Sequence, residues 1–423
     1  MPTERNWAGN LVYRAREIAA PTSVDELSAL ITRERRVKVL GSRHSFNDIA
    51  DTDGVLISLA ALAGGAPGEP ELDSDRGIVR VPGGMRYGEL APWLHERGRA
   101  LANLASLPHI SVAGAVATGT HGSGERIGSL ATQVVAVELI TGAGETLRLA
   151  RGDADFDGAV VALGALGVVT ALELETEPAY DVAQTVFEGV RWDDALAGFD
   201  ALQAAGDSVS LFTTWQDANA IDQIWVKQRA GWGAASRTDM PDLSPFGGRP
   251  ADGPRHPLPG IDPQPCTPQL GEPGPWFERL PHFRLAFTPS AGEELQSEYL
   301  VPRTDAVAAI TALRALAPRI APLLQVCEVR TVAADRLWLS MASGTDAVAL
   351  HFTWRLDQRA VTALLPEIEA VLPETARPHW SKLFALGGEL RARYPRWADF
   401  GCLRERCDPD GRFQNEFLER VGI

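Results

Sequence analysis

Cysteine is scarce in this chain of 423 residues, and the four cysteines, Cys266, Cys327, Cys402 and Cys407, form no C-x-x-C pair. No ladder of cysteine and histidine with zinc-ligand spacing accompanies them. This pattern argues against both a structural metal and a disulfide framework. We therefore expect no metal ion and a reducing, cytoplasmic location.

Long apolar runs are also missing. The most apolar stretch, residues 159–172, contains two glycines and is shorter than the roughly 20 residues that a membrane-spanning helix needs. The first 22 residues carry charges and lack the continuous apolar core of a secretory signal. We therefore expect that the chain is neither associated with a membrane nor secreted.

Positive charge is in deficit, with 55 Asp and Glu against 40 Lys and Arg and a formal net charge of −15. Such a field disfavours nucleic acids and anionic membranes as partners. A neutral or cationic small molecule is easier to accommodate, and we expect the chain to act as a monomer.

Several familiar site motifs are absent. GTHGSG at 119–124 places its glycines in the order G-x-x-G-x-G and follows no apolar strand, so it does not indicate a nicotinamide-binding Rossmann turn. The chain has no G-x-x-x-x-G-K-[ST], H-E-x-x-H or G-x-S-x-G. Nucleotide hydrolysis, zinc peptidase activity and α/β-hydrolase chemistry therefore lose their best support.

Two glycine-rich loops stand out among the features that are present. The first, in RVKVLGSRHSFND at 36–48, follows a short apolar strand, and its His44 suits a ligand, a base, a nucleophile or a structural histidine. The second, at 101–124, is dominated by small residues and has almost no charge. Glycine-rich backbone lets a large flat ligand approach, and its amides can hold a pyrophosphate. The two loops together favour a bound cofactor.

The surrounding pattern predicts mixed helix and strand. We predict helices at 22–34, 87–97, 158–167 and 304–316, and strands at 37–40, 55–59, 77–81, 134–141, 146–149, 168–175, 208–215 and 223–227. Residues 231–281 are rich in proline and glycine and too long for a simple connection. They form either a functional loop packed over a site or a mobile flap.

Three segments, GSRHSFNDIADTDG, ASLPHISVAGAVATGTHGSG and GALGVVTALELE, resemble the vanillyl-alcohol-oxidase type of flavoproteins. Within that type the similarity is to the alditol (xylitol) oxidases, next to the aldonolactone oxidoreductases. It continues in order through GPWFERLPHFR, ELQSEYLVPR, CEVRTVAAD, HFTW, ARPHWSK and DPDGRFQNEF, and so covers nearly the whole chain.

The resemblance implies FAD as cofactor. His44 matches the histidine that bonds covalently to the methyl group on the flavin's benzenoid ring, and the later loop has no cysteine for a second bond. Arg43 stands where close relatives can have glycine. The residues implied to bind the cofactor are Gly41, Ser42, Arg43, His44, Ser45, Phe46, Asn47, Ser106, Ser111, Gly114, Thr118, Gly119, Thr120, His121, Val169 and His379.

The resemblance also implies a substrate site drawn from distant segments. Its members are Ser106, Glu328, Arg330, His351, Thr353 and Lys382. Taken by themselves, Glu328 and Arg330 are two apart on a strand, and the favoured interpretation is an ordinary surface ion pair on one face. Together the six side chains suit a neutral polyhydroxylated substrate. Lys382 is expected to stabilise negative charge on the reduced flavin, and His351, Arg330 and Lys382 remain alternatives for removing the alcohol proton.

The implied fold is α+β, with an FAD-binding domain at 1–178, a substrate domain built on an antiparallel sheet at 179–375, and a C-terminal return at 376–423. The implied reaction oxidises the terminal alcohol of an alditol to an aldose, with oxygen reduced to hydrogen peroxide. An aldonolactone oxidase or dehydrogenase is the alternative within enzymes. A flavin-binding sensor or carrier with little turnover is the alternative of another class.

Overall fold

The computed structural model describes residues 4–62, 68–231, 240–287 and 293–423. Helices and strands mix along the whole chain, as the α+β prediction requires. In the described segments no helix combines the length and the apolar character that a bilayer crossing demands.

The first part of the chain contains ten strands and four α-helices within the described residues. The strands are β1 (Glu17–Ala19), β2 (Val37–Val39), β3 (Val55–Ile57), β4 (Glu71–Asp73), β5 (Ile78–Pro82), β6 (Arg99–Ala100), β7 (Val134–Ile140), β8 (Thr146–Ala150), β9 (Val168–Glu175) and β10 (Glu177–Pro178). The helices are α1 (Val24–Arg33), α2 (Tyr87–His95), α3 (Val112–Ala117) and α4 (Phe156–Val160).

Longer strands dominate the second part. They are β11 (Asp181–Glu188), β12 (Ser208–Thr213), β13 (Gln223–Ala230), β14 (Arg249–Pro250), β15 (Gly274–Pro275), β16 (Glu294–Pro302), β17 (Leu324–Val332), β18 (Ala347–Arg355) and β19 (Arg377–Pro378). The helices are α5 (Trp192–Ala197), α6 (Phe199–Gln203), α7 (Ala306–Ala315), α8 (Ala317–Ile320), α9 (Gln358–Val371), α10 (Trp397–Cys407) and α11 (Glu416–Val421).

Among the described residues, three small sheets build the N-terminal half, and one of them is the antiparallel pair of β6 and β10. β1, β3 and β2 form a parallel sheet in that order, and β4-β5-β9-β7-β8 form an antiparallel one. Helix α1 begins where the Ser23 hydroxyl accepts a hydrogen bond from the Glu26 amide, and it buries Leu27, Leu30 and Ile31. The packing of α1 therefore fixes the position of β2, and with it the start of the first glycine-rich loop, which follows β2.

A large antiparallel sheet dominates the second half, in the order β14-β11-β13-β12-β17-β18-β16-β19, with β15 also paired to β11. In β17 and β18 the alternation is clear. Cys327, Val329, Leu350 and Phe352 enter an apolar core with α7 and α9. The intervening residues Glu328, Arg330, His351 and Thr353 face the other way.

The C-terminal segment returns to the N-terminal half. The Val37 amide donates to the Arg412 carbonyl at 2.9 Å, and Asn415 Nδ2 donates to the carbonyls of Asp48, Ile49 and Asp51. Leu390, Phe400 and Phe417 join the core that also contains β5 and β9. The C-terminal segment therefore completes a core begun near the start of the chain.

The sequence predictions of β7, β8 and β9 are confirmed, since the strand at 168–175 has the predicted bounds and β7 pairs with β8. The helix predicted at 158–167 is wrong beyond its start. Helix α4 ends at Val160, and Leu163 and Gly164 have φ of +55° and +63°, which no right-handed helix accommodates. The short helix α3 inside the second glycine-rich loop was not predicted, because its small residues carry no helical period.

Candidate active site

A cavity of about 490 Å³ lies between the two glycine-rich loops and the polar face of the large sheet. Almost all of the residues that the sequence singled out line it. They are Gly41, Ser42, Arg43, His44, Ser45, Phe46, Ser106, Ser111, Gly114, Thr118, Thr120, His121, Val169, Glu328, Arg330, His351, Thr353, His379 and Lys382. Asn47 and Gly119 are not on its wall.

The first loop offers backbone amides to this cavity. The Leu40 amide donates to Ile57 and the Phe46 amide to Ser381, but within the described residues the five amides from Gly41 to Ser45 have no acceptor. Successive free amides of this kind form an anion-binding concavity.

The second loop closes against the first at Ser111. The Ser111 amide donates to Ser42 Oγ at 3.3 Å. A Cβ at Gly41 would lie 2.8 Å from Ser111 Oγ, and a Cβ at Gly114 would lie 2.6 Å from the same atom. A side chain at either glycine would displace the Ser111 hydroxyl, so the two loops approach closely there and form a narrow cradle.

His44 projects from the first loop with an unusual environment. Its Nε2 is buried without a hydrogen-bond partner in the part of the chain that the structure describes, and its ring lies 4.4 Å from the Trp7 ring. Burial, together with the nearby positive charge of Lys382, lowers the pKa of His44 to about 3. A neutral imidazole with an unpaired nitrogen is suited to bond formation with an electrophile.

Arg43 adopts φ of +60°, the left-handed conformation that glycine favours. Its carbonyl accepts from the Trp7 amide at 2.8 Å, and its guanidinium forms an ion pair with Glu4 at 2.6 Å. Contacts to the N-terminal segment therefore hold a non-glycine residue in a conformation that it rarely adopts.

The loop that carries His44 is joined directly to the segment that carries Lys382. The Phe46 amide donates to the Ser381 carbonyl at 2.7 Å, and Asn47 Nδ2 donates to the carbonyls of Trp380 and Lys382 at 2.8 and 2.7 Å. Asn47 thus contacts the backbone beside the cavity. Its amide fixes His44 and Lys382 relative to each other.

The polar wall of the cavity comes from three neighbouring strands. Register places Glu298 of β16 and Glu328 of β17 on either side of His351 in β18. Arg330 and Thr353 lie two residues further along their strands and therefore share this face. Lys382 reaches the same face because the His379 and Leu383 amides donate to Glu298 and Gln296 along the edge of β16.

Glu298 is the centre of the charge network. Its carboxylate lies 2.9 Å from Arg330 Nη2, 3.2 Å from Lys382 Nζ and 3.4 Å from His121 Nε2. Burial opposes its ionisation, but the surrounding charges, with Lys382 first, hold the pKa of Glu298 well below its usual value. His121, Glu298 and His379 are close enough to share a metal ion. Two cationic side chains already occupy the carboxylate, and we assign no metal there.

Lys382 and His351 face each other in this network. Lys382 Nζ lies 3.0 Å from His351 Nδ1 and 2.8 Å from Gln296 Oε1, and His351 Nε2 lies 3.2 Å from Thr353 Oγ1. Burial, followed by the charge of Lys382, lowers the pKa of His351 to about 4, and burial also lowers the pKa of Lys382. The imidazole is therefore neutral near pH 7.

Arg330 and Glu328 form the other half of the polar wall. Arg330 Nη1 donates to Ser106 Oγ at 3.3 Å and lies 3.5 Å from Glu328 Oε2. Burial works against the charge of Arg330, yet Glu328 and Glu298 raise its pKa. Both side chains are buried and turned to the cavity, so they are not the surface ion pair that their spacing also allowed.

Sequence reasoning missed several side chains of this wall, above all Gln296, Glu298 and His282. A signal was present for two of them: in ELQSEYLVP the polar residues Glu294, Gln296 and Glu298 alternate with residues of the opposite face. The glycine pair at 83–84 was missed too. A Cβ at Gly83 would lie 2.2 Å from the Val169 carbonyl, so this turn also brings backbone to the cavity.

The proline- and glycine-rich segment covers one side of the cavity. His256, Leu258 and Pro265 of this segment line the cavity, together with Phe283 just after it, and Arg284 Nε donates to the Cys266 carbonyl of the segment at 2.7 Å. Residues 232–239 of the predicted insert lie outside the described residues. The described part of the segment packs over the site, which is the first of the two alternatives that its composition allowed.

Comparison with solved structures extends over nearly the whole fold. A cholesterol oxidase from B. sterolicum superposes with a TM-score of 0.78 over 99% of this chain and 96% of that chain, at 14% identity. A solvent-stable cholesterol oxidase superposes with a TM-score of 0.77 and 15% identity. A family model described as "FAD binding domain" matches residues 15–150, and one described as "D-arabinono-1,4-lactone oxidase" matches residues 292–421. The fold and the cradle thus define an FAD-dependent flavoprotein of the vanillyl-alcohol-oxidase type.

Comparison with characterised sequences narrows this class. The alditol oxidase of Streptomyces sp. is 50% identical over 420 residues, covering 98% of this chain and 97% of that protein. The L-gulono-1,4-lactone dehydrogenase of Mycobacterium tuberculosis is 30% identical over 99% of both chains, and the L-gulonolactone oxidase of Bos taurus is 26% identical. The chain belongs to the alditol oxidase family of FAD-dependent oxidoreductases, to which the aldonolactone oxidases are more distantly related.

Proposed function

We propose that this chain oxidises the terminal primary alcohol of alditols such as xylitol and sorbitol to the aldose, with oxygen reduced to hydrogen peroxide. The observation that carries the proposal is the convergence of Ser106, Glu328, Arg330, His351, Thr353 and Lys382 on one cavity beside the glycine cradle. A wall of charged donors and acceptors suits a chain of hydroxyl groups. The similarity to an alditol oxidase over the full length supports the same substrate class.

FAD, when bound, supplies the chemistry of electron transfer from the alcohol carbon to oxygen. The free amides of Gly41 to Ser45 would hold its pyrophosphate, and Gly41 and Gly114 line the cavity beside them. We propose that His44 is the covalent attachment point, because its buried Nε2 has no partner in the described structure. None of the four cysteines lines the cavity, in keeping with a single attachment.

Intact-mass spectrometry tests the attachment. The denatured protein should keep its yellow colour and carry the mass of one FAD, and His44→Ala should release the flavin on denaturation. An unmodified polypeptide mass in the wild-type protein would exclude His44 as the tether.

The chain's own residues bind and orient the substrate. Arg330 keeps its charge, since Glu328 and Glu298 raise its pKa, so it acts as a hydrogen-bond donor and not as a base. The proton acceptor then lies in the pair of Lys382 Nζ and His351 Nδ1. Lys382 Nζ and His351 Nδ1 are joined by one hydrogen bond at 3.0 Å, and burial lowers the pKa of Lys382, so the amine in its neutral form has a lone pair to take up the alcohol proton. Glu328, Ser106 and Thr353 hold the remaining hydroxyl groups.

Anaerobic flavin reduction and peroxide release distinguish the candidate functions. We expect alditols of roughly four to six carbons to bleach the flavin and, in air, to release peroxide. Gulono-1,4-lactone should do neither at equal concentration. Faster bleaching by the lactone would favour an aldonolactone oxidase or dehydrogenase, and no bleaching by either class would favour a flavin-binding sensor.

A further inference from the structure

A buried pair of side chains lies behind Glu328. Lys227 of β13 donates to the carbonyls of Leu280 and Pro281, and its Nζ lies 3.4 Å from His282 Nδ1. His282 Nε2 in turn lies 2.9 Å from Glu328 Oε1. Lys227 is off the cavity wall, whereas His282 and Glu328 are on it. The contacts therefore run from the sheet interior to the surface that meets the substrate.

This arrangement fixes the tautomer of His282. The ammonium group of Lys227 only donates hydrogen bonds, so the Nδ1 that faces it must accept. The ring proton is then on Nε2, from which it is donated to Glu328. Burial, followed by the charge of Lys227, lowers the pKa of His282, so the ring stays neutral.

The orientation of the His282 ring is fixed as well. It makes edge contacts with the rings of Phe212 and Trp225, with centroids 5.5 and 5.4 Å away. The His282 amide donates to the Ser106 carbonyl at 3.2 Å. One residue thereby holds two members of the substrate wall, Glu328 through its side chain and Ser106 through its backbone.

We propose that Lys227 and His282 are a positioning pair that holds Glu328 as an oriented hydrogen-bond acceptor for a substrate hydroxyl. The proposal rests on the proposed function in that Glu328 contacts the alditol. Glu328 Oε1 is held by His282, and Oε2 lies toward Arg330, 3.5 Å away. A carboxylate held on one oxygen presents its remaining lone pairs in a fixed direction.

The pair also gives substrate binding a dependence on pH. The charged and titratable groups facing Lys227 are Glu328 and Arg330 of β17, and His282 and Cys266 of the covering segment. Burial is the main cause that lowers the pKa of Lys227 to about 7. Once Lys227 loses its proton, its two remaining N–H bonds go to the carbonyls of Leu280 and Pro281, so it no longer donates to His282 Nδ1 and the ring is held only by Glu328. The KM for an alditol should therefore rise as the pH increases through neutrality.

The matched pair of variants is Lys227→Met and Gln184→Met, both in the FAD-loaded enzyme. Gln184 of β11 lies directly opposite Lys227 of β13 in the sheet, and its side-chain amide donates to the Pro268 carbonyl at 3.2 Å. It therefore anchors the same proline- and glycine-rich segment, but at a point that does not contact Glu328. Lys227→Met should raise KM about tenfold, leave kcat within about twofold and flatten the pH dependence of KM. Gln184→Met should leave KM and its pH dependence unchanged. Equal effects of the two substitutions would show that Lys227 only anchors the segment, and would overturn the proposal.

A measurement without turnover separates this proposal from the proposed function. In holoenzyme labelled with ¹⁵N-histidine, the His282 signal, assigned by its loss in His282→Asn, should show the neutral Nε2–H tautomer, and Lys227→Met should change the Nδ1 shift because the hydrogen bond to that nitrogen is lost. An Nδ1–H tautomer in the wild-type enzyme would overturn the positioning pair whatever the substrate. The expected tautomer together with no alditol turnover would support the pair and reject the proposed function.

Discussion

Individual side chains in this cavity are defined by their partners. Glu298 contacts Lys382, Arg330 and His121, and each of these reaches it from a different segment of the chain. A buried carboxylate with this many cationic neighbours is stable only as a set, because removing one partner leaves the others incompletely compensated. A substitution at one of these residues is therefore expected to change the binding of cofactor and the stability of the fold as well as the reaction rate, so all three must be measured.

Lys382→Met should slow anaerobic flavin reduction by an alditol about 100-fold. The substitution removes the cation at the His351 nitrogen and beside Glu298, while the backbone of residue 382 still holds Asn47. Stopped-flow absorbance measures the rate, and the bound FAD per chain should remain close to that of the wild-type protein. Arg336→Met is the control, since that cation is exposed. An unchanged reduction rate would remove Lys382 from the mechanism.

Arg43 provides a test of backbone strain. Because φ is +60° at this position, Arg43→Gly should be more stable than Arg43→Ala by about 1 kcal/mol. Both substitutions remove the ion pair with Glu4, so the comparison isolates the backbone term. Thermal unfolding of the two variants at one pH measures the difference. Equal melting temperatures would contradict the left-handed conformation of residue 43.

At the scale of elements, the site depends on contacts between segment ends. The His44 loop meets the Lys382 segment through Phe46 and Asn47, and α11 meets the chain at 48–51 through Asn415. Polar side chains satisfy loop carbonyls at both junctions, where no regular ladder could form.

Asn415→Ala should reduce the free energy of unfolding by about 2–4 kcal/mol. Its Nδ2 is shared by three carbonyls, and its Oδ1 caps α11 by accepting from the Leu418 amide at 3.0 Å. Gln414→Ala is the matched control, because its amide donates only to the Ile423 carbonyl among the described contacts. Chemical denaturation followed by tryptophan fluorescence compares the two. Similar losses for both would mean that the junction contributes little.

For the whole molecule, we propose an FAD-binding domain at 1–178, a substrate domain at 179–375 and a C-terminal return at 376–423. One large core combines β5, β7 and β9 with residues of α10 and α11, and a second lies under the sheet of β11 to β18. The cavity lies where the two parts meet, since its wall draws on both. This division accounts for a site whose residues run from Trp7 to Lys382.

Acid should destabilise the whole molecule through its buried carboxylates. The folded-state pKa values of Glu298 and Glu328 lie below those of the unfolded chain, where glutamate titrates near pH 4.3. Stability is therefore complete above roughly pH 5 and is lost as the pH falls below about 4.5. Glu298→Gln should lower the melting temperature at pH 7 but give a shallower decline between pH 5 and pH 3. An unchanged decline would show that Glu298 is not ionised in the folded protein.

Much of the local structure followed from the sequence. The strand β9, the glycine stretches near Gly41 and Gly114, and the helix α1 could be predicted because their signals involve neighbours within a few residues. The segment at 161–167 was predicted wrongly because α4 already ends at Val160, and the left-handed conformation of Leu163, which lies beyond that end, leaves no local signal in the sequence.

The sequence by itself determined that two backbone-lined loops and a set of alternating polar strands exist, because glycine freedom and strand alternation are local properties. Only the tertiary structure decided that Glu298 joins Lys382 to Arg330, and that Lys227 and His282 stand behind Glu328. These partners are far apart along the chain. Their meeting depends on the order of strands in the sheet and on the return of the C-terminal segment, which bring buried charges together so that each compensates the next.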